Sequence, residues 1–278
     1  MRDFRGKVAI VTGAGSGIGR ALAQKLALEG CELALCDIDR KSVEETKALL
    51  GDAVSAFTCE VDVTGRAQVE AFVTCVVSRR GHVDFLFNNA GIAVSGEARR
   101  FSYEDWRSVI DVNLFGVIHG VRAVYPIMVK QGFGHIVNVA SGSGLIPTPG
   151  YISYTTSKHA VVGLSTALRI EAARHHVKVS VVCPGGVRTP IYTTAKLIDW
   201  DFQKVTRVAN RVGISPEQCA RAILRGVATN RAIILDSTMV RALSLLQRLS
   251  PGLVRRLLAM AYARILLAAD TKSGATKS

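Results

Sequence analysis

The chain has 278 residues, 49% of them hydrophobic, enough for one large domain with a filled core and unlike a disordered or fibrous protein. Its six cysteines form no CxxC pair and lie mostly in apolar runs, which argues against a disulfide framework or a zinc site and predicts reduced, buried thiols. The formal net charge is +13, yet Lys and Arg are dispersed and not interleaved with aromatics, so no nucleic-acid partner is expected.

The start, MRDFRGKVAIVTG, holds no apolar stretch of signal-peptide length and runs directly into a predicted strand, KVAIVT (7–12), so a cytoplasmic location is expected. TGAGSGIG (12–19) follows and opens a helix over 17–30. Gly13, Gly17 and Gly19 permit a tight turn there, and with Ser16 and Ile18 they expose backbone N–H groups and a helix N-terminus to a pyrophosphate. The spacing is GxxxGxG, not the GxGxxG of the general dinucleotide fingerprint. ELALCD (32–37) predicts a second strand ending at Asp37, whose carboxylate can accept from adenosine ribose hydroxyls and repel a 2′-phosphate. That favours NAD over NADP, with Arg20, Arg40 and Lys41 near enough in sequence to soften the repulsion.

Further strands are predicted at 54–62, 83–89, 135–140, 177–184 and 232–236, and further helices at 40–50, 65–80, 103–131, 151–175 and 215–230. The helix over 215–230 begins SPEQ, with Ser215 as N-cap, Pro216 at the first helical position and Gln218 closing a capping box. The strands are short and nearly continuously apolar, as expected when both faces are covered. The fold class is therefore α/β, a doubly wound parallel β-sheet with helices on both faces, and ligands should bind beyond the strands' C-terminal ends where strand order reverses. Within YISYTTSKHA (151–160), Tyr154 and Lys158 are one helical turn apart on one face, whereas Tyr151 lies about 10 Å from Lys158 along the axis. Tyr154 is the tyrosine that the lysine can reach. His119 and His159 read as packing or surface histidines.

Taken in order, TGAGSGIG (12–19), Asp37, DV (62–63), NNAG (88–91), Asn113, Ser141, YTTSK (154–158) and PGGVRT (184–189) resemble the short-chain dehydrogenase/reductase family over roughly residues 5–236. The resemblance implies a Rossmann fold and an NAD-dependent alcohol dehydrogenase or carbonyl reductase that needs no metal. It makes Tyr154 the acid/base, with Ser141 hydrogen-bonding the substrate oxygen. Lys158 would favour the phenolate, together with the positive ring of the oxidised cofactor, and would hold the nicotinamide ribose. Asn113 would bind a water through its backbone and link Lys158 to solvent. The implied cofactor set is Gly13, Ser16, Gly17, Ile18, Gly19, Asp37, Asp62, Val63, Asn89, Gly91, Tyr154, Lys158, Pro184, Val187 and Thr189, with Asp62 and Val63 at the adenine and the last three at the nicotinamide. A homotetramer or homodimer is expected on the same ground, and because helices 103–131 and 151–175 are apolar on more than one face. Two alternatives stand beside this reading. One is an NADPH-dependent ketoreductase of β-ketoacyl thioesters, against which Asp37 argues; the other is a catalytically idle cofactor-sensing binding protein.

Residues 1–236 read as the dinucleotide-binding and catalytic domain and 237–278 as a C-terminal helical extension with a flexible tail. Ser250 and Pro251 predict a helix stop and restart. Leu246, Leu249, Leu253, Leu257 and Met260 form one apolar stripe, and Arg241, Arg248 and Arg255 a separate cationic line. The arginines exclude a membrane-spanning helix here. The pair either packs over the substrate cleft or a subunit interface, or lies on a membrane surface as a peripheral contact. Either placement favours a small lipophilic alcohol or carbonyl substrate. The loop from Ile191 to Gly213, expected to cover it, follows no transferable rule.

Overall fold

Seven short strands form one sheet: β1 (Val8–Thr12), β2 (Glu32–Asp37), β3 (Ala56–Glu60), β4 (Phe85–Asn88), β6 (Gly134–Val139), β7 (Val177–Val182) and β9 (Ile233–Ile234). The computed structural model describes residues 4–198 and 213–273, with side chains through Ala263. The strand order is β3–β2–β1–β4–β6–β7–β9, every pair parallel, so the order reverses between β1 and β4. All seven predicted strands are present, the last reduced to two residues.

The continuous apolarity of the strands has the expected cause. Ala9 and Val11 of β1 join one core cluster, with Leu22, Leu26, Leu33, Leu35 and Ile223; Val8 and Ile10 join the opposite one, with Phe72, Val76, Leu86, Met128 and Ile136. On the first face lie α1 (Gly17–Leu28), α2 (Arg40–Ala48) and α8 (Pro216–Ala228), the last entered through the predicted Ser215/Gln218 capping box. On the second lie α3 (Arg66–Arg80), α5 (Gly116–Gln131) and α6 (Ile152–Ala173).

The predicted helix 103–131 is not uniform. It consists of α4 (Tyr103–Ile110), a π-helical turn over Asp111–Phe115, and α5. By length and composition this helix could cross a membrane, but Asn113 and Val124 are buried, and α5 packs on β4 and β6. All six cysteines are free thiols, and Cys31, Cys36, Cys183 and Cys219 are buried.

A small second sheet pairs β5 (Val94–Ser95) with β8 (Lys196–Leu197), bringing the chain after α7 (Ile191–Thr194) back across the strand ends. Lys196 pins it by an ion pair to buried Asp105 at 2.6 Å, and that bond holds the Asp105 carboxyl below its usual range. The predicted covering loop lies in part, at 199–212, outside the described residues. The predicted stop and restart at Ser250 separates α9 (Thr238–Leu249) from α10 (Pro251–Ser273).

Candidate active site

Beyond the C-terminal ends of β1 and β4 opens a cavity of about 830 Å³, at the reversal of strand order. At one end it is lined by Gly13, Ser16, Gly17, Ile18 and Asp37. Gly13 and Gly17 take φ of +63° and +51°, values that favour glycine. A Cβ at Gly19 would lie 2.0 Å from the Gly13 carbonyl oxygen, so the turn closes only because that side chain is absent. Asn89 secures the turn from β4: its Nδ2 donates to the Thr12 and Gly13 carbonyls at 3.0 and 3.1 Å. Ser16 is the N-cap of α1, and its side chain makes no capping bond. The first turn of α1 thus presents N–H groups to the cavity with the sign a phosphate requires.

Asp37 is held from behind. Its Oδ2 accepts from Gly15 N at 2.8 Å and its Oδ1 from Asp39 N at 3.1 Å, which leaves lone pairs for ribose hydroxyls. Arg20 donates to the Gly15 carbonyl, to Thr46 Oγ1 at 2.9 Å and to the Ser42 carbonyl. Arg20 and Asp37 thus meet on the same residue, Gly15, whose carbonyl accepts from Arg20 and whose N–H donates to Asp37. Asp62 and Val63 form the facing wall; Asp62 Oδ1 accepts from Thr64 N, and His119 packs against the Val63 carbonyl at 2.9 Å. His159 caps nothing in the cavity and bonds the Thr155 carbonyl on its own exposed turn.

Deeper in, α6 presents Tyr154 and Lys158 beside Ser141, which lies two residues beyond the end of β6. The Tyr154 hydroxyl is hydrogen-bonded to Ser141, and Lys158 Nζ lies 5.4 Å from the Tyr154 ring centroid. Lys158 Nζ also donates to the Val139 carbonyl at 3.0 Å. Asn113 is fully buried: its side chain exchanges two bonds with the Ile92 backbone, both 2.9 Å, and donates to Ser157 Oγ. The π turn around it leaves local backbone carbonyls without their regular helical partners, a common device at functional sites. Gly91 makes room for both groups, since a Cβ there would lie 3.1 Å from Asn113 Oδ1 and 3.4 Å from Lys158 Nζ. Pro184, Val187 and Thr189 complete this end of the cavity, with Thr189 packed on the Gly17 turn.

Burial pushes the Tyr154 hydroxyl up to about 12, against the pull of the Ser141 hydrogen bond, and brings Lys158 down to about 8. Lys158 lies over the Tyr154 ring face and is itself desolvated.

The remaining lining was not legible in sequence. Tyr192 of α7 stands close enough to Tyr151 and Tyr154 for their charges to couple. The Tyr151 ring meets the Tyr154 ring edge-on at 6.4 Å, and its hydroxyl bonds Ser95. Ile146, Pro147, Met239, Val240, Leu243, Leu258 and Tyr262 form an apolar wall. The C-terminal helices therefore do pack over the cleft, but through Val240, Leu243, Val254 and Leu258; of the predicted stripe only Leu246 joins that packing, and Leu249, Leu253, Leu257 and Met260 stay exposed.

Residues 7–197 match the family model described as short chain dehydrogenase. The chain is 39% identical over 272 residues to a putative oxidoreductase, SadH, of Mycobacterium tuberculosis, an alignment covering 95% of this chain and 98% of that protein. It is 37% identical over 192 residues to levodione reductase of Leifsonia aquatica, covering 68% and 72% of the two chains. Among solved structures, a short chain dehydrogenase/reductase from Burkholderia phymatum in complex with NAD is similar at a TM-score of 0.85 and 34% identity, over 91% of this chain and 96% of that one.

Proposed function

The chain belongs to the short-chain dehydrogenase family and is an oxidoreductase of that type, and from this we propose that it interconverts a lipophilic alcohol and its ketone or aldehyde with NAD as cofactor. The observation that carries the reading is the convergence of Ser141, Tyr154 and Lys158 at the floor of a cavity with a phosphate-accepting glycine turn at one end and an apolar wall at the other.

NAD, when bound, supplies hydride acceptance from the carbinol carbon. The chain's own groups do the rest. Gly13, Ser16, Gly17, Ile18 and Gly19 would hold the pyrophosphate, Asp37 the adenosine ribose, Asp62 and Val63 the adenine, and Asn89 and Gly91 the turn beneath. Pro184, Val187 and Thr189 would line the nicotinamide. Ser141 Oγ hydrogen-bonds the substrate oxygen, while Tyr154 Oη takes the hydroxyl proton in oxidation and returns it in reduction. Lys158, together with the positive ring of a bound oxidised nicotinamide, would favour the phenolate of Tyr154 and bring its pKa toward working pH. Lys158 and a water held by the Asn113 backbone at the π turn would pass the proton outward.

Asp37 predicts cofactor choice. In steady-state assays on a panel of alcohols of rising chain length, kcat/KM should be higher with NAD than NADP, and Asp37→Ser should narrow that gap. Equal or greater kcat/KM with NADP for the unaltered enzyme contradicts this, and a preference for acyl thioesters with NADPH would favour the ketoreductase alternative. Activity should rise with substrate chain length, because the wall formed by Met239, Val240, Leu243 and Leu258 offers carbon and no polar partner.

Assembly into a homotetramer or homodimer accounts for the apolar side chains left outside the fold. Tyr103 of α4 and Ile170 of α6 are 89% and 80% exposed, and Phe115 of the π turn and Ile152 of α6 remain accessible. Light scattering at micromolar concentration should report two or four copies, and Phe115→Glu with Ile170→Glu a smaller species. A monomeric wild type contradicts it.

A further inference from the structure

We propose that the outer face of the C-terminal helix pair is a docking surface for an anionic lipid bilayer, placed at the rim of the substrate cavity. The helices are divided lengthwise. Val240, Leu243, Val254 and Leu258 pack inward. Arg241, Leu245, Arg248 and Leu249 of α9, and Leu253, Arg256, Leu257 and Met260 of α10, recur at three- and four-residue steps and face solvent. Leu249 is 84% exposed, and Leu245, Leu253, Leu257 and Met260 between 44% and 54%, so the solvent face of this pair sets five large apolar side chains among its arginines. Arg255 is exposed beside them.

Charge decides what covers this face. Residues 237–269 contain five arginines and no Asp or Glu. A second copy docking face to face would set this patch against itself, arginines against arginines, with no acid within the segment to pair them. An anionic headgroup layer satisfies both halves: leucines enter the boundary between headgroups and acyl chains while arginines remain among the phosphates. The apolar face also reaches the site, because Met239 and Ala261 are at once exposed and part of the cavity lining. A substrate dissolved in the bilayer would enter without crossing water.

The test uses the full-length protein and vesicle sedimentation, with no substrate or cofactor, so its failure leaves the dehydrogenase reading untouched. At low salt the protein should sediment with phosphatidylcholine vesicles containing phosphatidylglycerol, far less with phosphatidylcholine alone, and be released by high salt. Arg248→Gln with Arg255→Gln should lower partitioning by about fivefold per arginine. Leu249→Gln, Leu253→Gln and Leu257→Gln together should abolish it, while the melting curve and turnover of a water-soluble alcohol stay those of wild type. A wild-type protein that remains in the supernatant with anionic vesicles overturns the proposal. So does a glutamine triple variant that sediments like wild type, or one whose light-scattering mass falls while vesicle binding is retained, the last pointing to a copy-to-copy interface.

Discussion

Tyr154→Phe should lower turnover by about 10²–10⁴-fold while leaving NADH binding, followed by fluorescence, near its wild-type value. The variant keeps the ring that Lys158 covers and removes only the hydroxyl that Ser141 meets. Tyr151→Phe supplies the contrast. Its hydroxyl is bonded to Ser95 and its ring packs edge-on against Tyr154, so its loss should move KM for the alcohol more than kcat. The pH profile adds a separate reading. Because burial alone pushes the Tyr154 hydroxyl up to about 12, the apparent pKa that governs oxidation should fall well below that once NAD is bound. An active Tyr154→Phe beside an inactive Tyr151→Phe would transfer the acid/base role to Tyr151.

Lys158→Met should abolish most turnover and yet stabilise the cofactor-free chain at neutral pH. Lys158 is buried, and its pKa falls from 10.5 to about 8 through that burial. Between those values the unfolded chain binds a proton that the folded chain does not, so this group's contribution to stability rises with pH from about 8 to 10.5. Below that window its full penalty, roughly 3 kcal/mol, is in force. Against it stands the lost bond to the Val139 carbonyl, of order 1 kcal/mol. The balance predicts a melting temperature roughly 5 °C higher than wild type at pH 7, the gap shrinking as pH approaches 10. A variant that melts lower at pH 7, with no change in the gap at alkaline pH, would mean that the lysine holds the fold together.

The short motifs that carry the resemblance come together around one cavity, the glycine turn, Asp37 and Ser141 from beyond strand ends and Tyr154 and Lys158 from within a helix. Gly13, Gly17 and Gly19 could be read because only glycine tolerates φ near +60° and the 2.0 Å approach that a Cβ at position 19 would make. Tyr154 and Lys158 could be paired because helical geometry is local and repeats every turn. The capping box at Ser215 and Gln218 and the restart at Pro251 were legible for the same reason.

What the sequence by itself determined was therefore everything governed by local rules: the strand and helix alternation, the parallel sheet, the phosphate turn and the Tyr154–Lys158 spacing. The tertiary structure decided what depends on partners distant in the chain. It committed Arg20 to the Gly15 carbonyl and Thr46. It opened helix 103–131 into a π turn where Asn113 had to reach Ile92 and Ser157 at once. It turned Leu249, Leu253, Leu257 and Met260 outward while Val240, Leu243 and Leu258 closed the cavity. A helix periodicity shows that a face is apolar but carries no record of which surface lies opposite, and burial, which set the Tyr154 and Lys158 shifts, exists only once those surfaces meet.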